Sequence, residues 1–180
     1  MSKSYLFFTK GCLKDYFEKR KEEIKEEIYE FDEDYILNVS EEDLIQSLVK
    51  KYLLNPPILK IDEKYQLEPK EIDTKRTLIS IIIPFDGDEE LFYYQPSTHY
   101  IVIPQGKIYG NELHLEYEIR DYNGDSIRKE IERNIQEIQN YLSWVKNDVD
   151  SFNDSLEGLS LIHISEPTRP RLISYAVFCL

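Results

Sequence analysis

The side chains best suited to chemistry in this chain are its carboxylates, 35 Asp and Glu among 180 residues. The run DYNGDSIRKEIE sets Asp121, Asn123, Asp125 and Glu132 at the spacing of four calcium-loop ligands. Ser126 stands where that loop needs the glycine of its sharp turn, so the run reads as a strand-to-helix turn with Asp125 or Ser126 as the cap. FDGDEE, Phe85 to Glu90, clusters acids after a strand with no histidine nearby and reads as a tight solvated turn. Nuclease-type sites use an acid and a lysine two residues apart on a strand, with another acid upstream, to set a metal against the scissile phosphate. Glu23 and Lys25, Asp62 and Lys64, Glu68 and Lys70, and Asp73 and Lys75 have that spacing. A composition this rich in charge yields about three such pairs by chance, so their number carries no signal. Asp62 and Lys64 stand nearest to a strand; that pair, or Asp86 and Asp88, carries the alternative reading, a metal-dependent nuclease or hydrolase. Cys12 follows Gly11 at a helix start, where the dipole favours a thiolate, but His99 and His114 lie on strand-like segments with no link to it. It reads as a structural cysteine. No phosphate loop, GxGxxG or GxSxG is present. The expectation is a non-enzymatic chain with no catalytic residue, no metal ligand and no cofactor.

The elements that would position these groups can be read from periodicity. SYLFF, Ser4 to Phe8, is a short strand or anchoring segment. Leu13, Phe17, Ile24 and Ile28 fall on one helical face near 13–30. DYILNV reads as a strand or extended link. Ser40 opens SEEDLIQSLVKKYLL as an N-cap, with Asp43 placed to reach back and Leu44, Ile45, Leu48, Tyr52 and Leu53 as the buried stripe. Asn55-Pro56-Pro57 stops that helix near 54. From 58 to 120 the period shortens. PILKI, YQLEP, KRTLISIIIPF, ELFYYQP, HYIVIPQ, GKIYG and NELHLEYEIRDY are β-branched, aromatic and broken by Pro, Gly and Asp. ELHLEYEIR alternates, with Leu113, Leu115, Tyr117 and Ile119 on its dry side, which favours an antiparallel sheet. ISIII, Ile79 to Ile83, is the central strand, and Gly110-Asn111 marks a hairpin.

Ile127, Ile131, Ile135, Ile138, Leu142, Val145, Val149, Phe152 and Leu156 then form a near-heptad seam on a helix from about 125 to 157. A helix this long overruns a small sheet, so its seam needs the first helix, a second chain or a further segment as cover. The fold class expected is α+β: an antiparallel, aromatic-rich sheet flanked by helices, the last of them long and amphipathic. Ile138, Tyr141, Leu142, Trp144, Val145, Val149 and Phe152 are the possible interaction surface, with packing as the plainer role of Tyr141 and Trp144.

The formal charge of -13 argues against a general nucleic-acid or anionic-membrane binder. Two cysteines build no disulfide framework, and no signal peptide or membrane-length apolar run is visible. The expected setting is the cytoplasm.

The ending departs from all of this. LSLIHISEPTRPRLISYAVFCL, Leu159 to Leu180, has no periodicity continuous with what precedes it. It resembles the in-frame translation of a transposon-type sequencing adapter, of the kind ligated to fragmented metagenomic DNA. Leu159 to Arg169 match the first adapter stretch. Pro170, Arg171 and Leu172 fill the length of one adapter base plus a sample index, and Ile173 to Leu180 match the second stretch. That resemblance implies that 159–180 is an artefactual tail. It also implies that 1–158 is a single α+β N-terminal domain, truncated from a longer protein. Without Glu166, Arg169 and Arg171 the remainder is one charge more negative.

ISIIIPFDGDEELFYYQPS and IQEIQNYLSWVKNDVDSFNDSL are similar to N-terminal regions of uncharacterised bacterial proteins in which a nuclease-like or TIR-like effector domain can follow. The resemblance carries no chemical motif, so no residue role comes with it. It implies a non-catalytic recognition, regulatory or oligomerisation module of a multidomain cytoplasmic protein. Its expected partner is protein, either the downstream domain of the same chain or a second copy through the long helix, with no membrane and no nucleic acid.

Overall fold

In the computed structural model the fold is α+β, three helices and a six-stranded antiparallel sheet among the described residues. The structure describes residues 5–32, 38–73, 76–100, 102–120 and 124–176, with the backbone alone for 41, 120, 124 and 157–176. Most of DYILNV therefore lies outside the described residues, as do Asp121 and Asn123. The chain forms two compact units, Met1–Lys14 with Asn55–Asp148 and Asp15–Leu54 with Val149–Leu180.

The first unit is built on β4, Arg76–Asp86. On one side it pairs in turn with β1 (Ile58–Leu59), β2 (Tyr65–Gln66) and β3 (Lys70–Asp73); on the other it pairs with β6 (Glu112–Arg120). β5, Lys107–Tyr109, adds to β6 through the Gly110-Asn111 turn, where Gly110 has φ +56. The register sets Ile79, Ile81 and Ile83 opposite Tyr117, Leu115 and Leu113, so these residues share one dry face. The other face is not bare. Ile82 is buried in a row with Tyr65 and His114, which explains why ISIII shows so little alternation.

Among the described residues, two segments expected as strands form none. ELFYYQP forms a 3-10 turn, Glu89–Tyr93, because consecutive Leu91 and Phe92 are both buried and an extended chain would turn one of them outward. Among its described residues HYIVIPQ makes a single isolated bridge, Gln105 with Tyr5. SYLFF is an anchor: Leu6 N–H donates to the Pro104 carbonyl at 3.0 Å and Phe7 N–H to the Phe92 carbonyl at 2.5 Å. Phe7 sits at φ 63, a conformation that disfavours a bulky side chain. Its ring is fully buried between Phe92 and Tyr141, and burial worth about 1.5–3 kcal/mol outweighs that cost. β3 was not expected from the sequence, since all four of its residues are exposed and give no hydrophobic alternation.

The second unit is helical. α1, Leu13–Glu30, turns Phe17, Ile24 and Ile28 inward. α2, Glu41–Tyr52, starts as expected: Ser40 Oγ accepts the Asp43 N–H at 3.1 Å and donates to its carboxylate at 2.6 Å. Leu53, expected in the stripe, is exposed at the helix end, and Leu54 is buried in its place. α3, Gly124–Ala176, contributes its later turns. Phe152 stacks on Phe17 at 4.7 Å, and the Asn153 amide bonds both main-chain groups of Leu54, at 3.1 and 2.9 Å.

α3 begins one residue before Asp125, so Asp125 stands in its first turn rather than at its cap. It also runs past Leu156, where the apolar pattern stops, because extending a formed helix is cheap compared with nucleating one. That extension includes Pro167 and Pro170, each costing about 3 kcal/mol in a helix interior, so it is the weakest part of α3.

Candidate functional site

The acids singled out by spacing do not converge. Asp62 and Lys64 are exposed on and just after the 3-10 turn Ile61–Glu63, not on a strand. Asp86 pairs with Lys60 at 2.8 Å. Asp88 braces its turn, with its carboxylate accepting the Asn55 N–H and its own N–H donating to the Asn55 carbonyl, each at 2.8 Å. Asp125 is exposed, and Glu132 accepts from Arg128 at 3.0 Å. Among the described residues no group of three or more His, Cys, Asp or Glu could hold a metal ion. Cys12 is half-buried and bridges Gln95 through the main chain, while the Gln95 amide lies against the His99 ring. His114 lies 3.2 Å from Glu112, on the sheet. No hydrogen bond joins the thiol to either imidazole among the described residues.

The seven residues named on the long helix divide sharply. Ile138, Tyr141, Leu142, Val145, Val149 and Phe152 are buried within the chain itself, so they are core rather than an open surface. Trp144 is half-buried and differs in kind. Its ring meets Tyr100 edge-on at 4.9 Å and Tyr141 at 5.1 Å. The Tyr141 hydroxyl lies 2.7 Å from the Tyr100 carbonyl and 3.0 Å from the Val102 carbonyl, and it accepts the Tyr100 N–H at 3.2 Å. Asp148, a turn further on, accepts both the N–H and the hydroxyl of Ser97, at 2.7 and 2.5 Å. Polar groups of α3 thus pin the main chain at Ser97, Tyr100 and Val102, with Tyr100 and Val102 62% and 59% exposed. Burial raises the Tyr141 phenol above the ordinary tyrosine value, against the opposing effect of its bond to Tyr100, so it stays neutral in this role.

Beside this platform lies a cavity of about 450 Å³. Its walls are Leu78 of β4 with His114 and Glu116 to Ile119 of β6, the segment that carries Val102 and Lys107, and the α3 turns that carry Ile127, Glu130, Arg133, Asn134 and Glu137. Ile127 and Ile131, expected at the start of the buried seam, are only half-buried, and Ile127 lines this opening. Asn134 bridges the walls, donating to the Tyr117 hydroxyl at 2.9 Å and to the Gln105 carbonyl at 3.3 Å. Glu116, Glu118, Glu130 and Glu137 line it with Lys107, Arg133 and His114, and Glu118 also pairs with Arg76 at 3.0 Å and Glu137 with Arg133 at 4.0 Å. Lys107 bonds Glu116 at 2.7 Å, which holds its ammonium above the ordinary value.

Sequence reasoning found Trp144 but not Tyr100, Val102 or Asn134, which carry no motif; the available signal was Tyr100 and Val102 in a segment too irregular to pair. Comparison with protein-family models, with curated proteins and with solved structures finds no match.

Proposed function

We propose that this chain is a non-catalytic recognition module whose contact surface is the platform of Tyr100, Val102 and Trp144 with the adjoining cleft. The supporting observation is the fixed exposure of Tyr100 and Val102: large apolar groups held outward at low entropic cost are what protein hot spots require. The partner is protein, supplied by a following domain of the same chain or by another molecule. A second copy paired through the seam of α3 is disfavoured, because that seam is already buried from Ile135 to Leu156. No helix among the described residues is long and apolar enough to cross a membrane. With the acidic balance, this favours a cytoplasmic setting without nucleic acid or membrane as ligand. Residues 159–180, read as translated adapter, take no part in recognition.

Panning a displayed peptide library against the chain and against a Tyr100→Ser/Trp144→Ser variant tests the reading. Sequences enriched on the former and lost on the latter are expected. Equal enrichment on both would remove the platform from the account. Magnesium-dependent cleavage of nucleic acid that disappears in Asp62→Ala would restore the nuclease alternative.

A further inference from the structure

The platform has a shape and a charge that together narrow what it can recognise. The rings of Trp144 and Tyr100 meet at 82° with centroids 4.9 Å apart, and Trp144 stands at 66° to Tyr141. An edge-on pair bounds a corner with a ring face on each wall, and aromatic faces are electronegative. Tyr100 is largely exposed and Trp144 half-buried beside it. A cation seated in such a corner meets two faces at once, and tryptophan is the strongest ring for it.

A carboxylate stands next to the corner. Asp148 follows Trp144 by four residues and so shares its side of α3, while its oxygens reach Ser97, three residues before Tyr100. Those oxygens take the N–H and the hydroxyl of Ser97, both neutral donors, and among the described residues no cation pairs with Asp148. The carboxylates Glu116, Glu118 and Glu137 of the neighbouring cavity differ, since each has a basic partner. Lys146 is two residues from both Trp144 and Asp148, a spacing that turns it away from them on the helix.

The corner therefore offers negative charge but few acceptors for N–H groups. Asp148 already takes two short bonds, at 2.7 and 2.5 Å, and the Tyr141 hydroxyl is engaged by the main chain at Tyr100 and Val102. An ordinary ammonium has three N–H groups and a tightly held water shell that this surface does not replace. A methylated ammonium keeps the charge, sheds N–H groups and lays methyls on the rings.

We propose that the corner of Tyr100 and Trp144, beside Asp148, binds the methylated ammonium of a lysine side chain on a partner protein. Val102, exposed on the same stretch, gives the four-carbon stem an apolar strip that a small free cation would leave uncovered. The proposal rests on the recognition reading and names what the platform recognises.

The test is a titration of the whole chain with a blocked glycine-rich peptide carrying one trimethyl-lysine, read by the emission of Trp144, the sole tryptophan. Three companions are titrated: the peptide with unmodified lysine, the peptide with a neutral tert-butyl group in place of trimethylammonium, and free tetramethylammonium. Saturable binding of the trimethyl-lysine peptide is expected, with each companion at least about tenfold weaker. Tyr100→Leu keeps apolar bulk at an exposed position but removes a ring face, and Asp148→Asn removes the charge. Each should weaken the peptide about threefold or more, whereas Tyr100→Phe should bind like the unaltered chain. If Asp148→Asn fails to fold, the neutral peptide on the unaltered chain still decides whether charge is recognised. The proposal is overturned if the trimethyl-lysine peptide does not bind, if the unmodified or the neutral peptide binds as tightly, or if Tyr100→Leu binds like Tyr100→Phe. It is equally overturned if tetramethylammonium matches the peptide, which would make the ligand a free small cation. Failure of the peptide while library sequences still depend on Tyr100 and Trp144 sinks the methyl-lysine proposal alone. Equal library enrichment on the chain and on the Tyr100→Ser/Trp144→Ser variant removes the platform, and this proposal with it.

Discussion

At Tyr141 one hydroxyl decides the shape of the candidate surface. Its ring stacks on Phe7 at 5.1 Å, and its oxygen holds the main chain at Tyr100 and Val102. Tyr141→Phe keeps the ring and leaves those buried-side groups unsatisfied. A loss of about 1–3 kcal/mol is expected by chemical denaturation. Trp144 is the sole tryptophan, so its emission should report the loosened Tyr100 contact directly. A second residue-scale device sits in the helical unit, where Glu27 bonds Lys51 through both oxygens at 2.7 Å and accepts the Tyr52 hydroxyl at 2.5 Å. Burial pushes the Glu27 carboxyl up, but the Lys51 and Tyr52 bonds outweigh it and set it below its ordinary value. Its contribution is therefore present above the unfolded carboxylate range and lost as pH falls through the lower folded value. Burial and the bond to Glu27 push Tyr52 up to about 12. Its contribution is complete below the ordinary tyrosine value near 10 and lost as pH rises from there through about 12. Denaturation midpoints measured across pH should show both flanks, and Tyr52→Phe should flatten the alkaline one. The position of Tyr141 beside the seam was legible in the sequence; the job of its hydroxyl was not, because its partners lie some forty residues away.

Among the elements, starts and turns were the most legible parts. Ser40 caps α2 through the local geometry its neighbours imply, and Ser40→Ala should cost about 1 kcal/mol in a thermal or chemical melt. The turn after β4 was legible as a turn, but the reason its glycine is required was not. Gly87 has φ +105, and a Cβ there would lie 2.7 Å from the Pro56 carbonyl oxygen. Gly87→Ala should destabilise by more than about 1 kcal/mol, measured by the same melts, since both backbone strain and a main-chain clash oppose it. Among the described residues, ELFYYQP and HYIVIPQ have strand composition but make only isolated bridges, at Gln95 and Gln105. Their main-chain groups are engaged by Phe7, Leu6 and Tyr141, which are remote in sequence and invisible to any local pattern.

At the scale of the molecule, the long helix was correctly read as needing more than a sheet. Its seam serves the sheet-bearing unit up to Asp148 and the helical unit from Val149, so one uniform pattern conceals a change of partner. If residues 159–180 are translated adapter, a chain ending at Gly158 should keep the same thermal midpoint and the same Tyr52-linked alkaline flank; a clear loss of stability would show that the tail packs. The sequence by itself determined the α+β class, the helix faces, the central strand, the hairpin and the unusual ending, because period, capping and turn chemistry act between near neighbours. Tertiary structure alone decided which seam residues are core, where β5 ends along β6, and that Trp144 joins Tyr100 in an outward platform. Those outcomes depend on which distant main-chain groups compete for the same partner, and a single strand of letters does not record that competition.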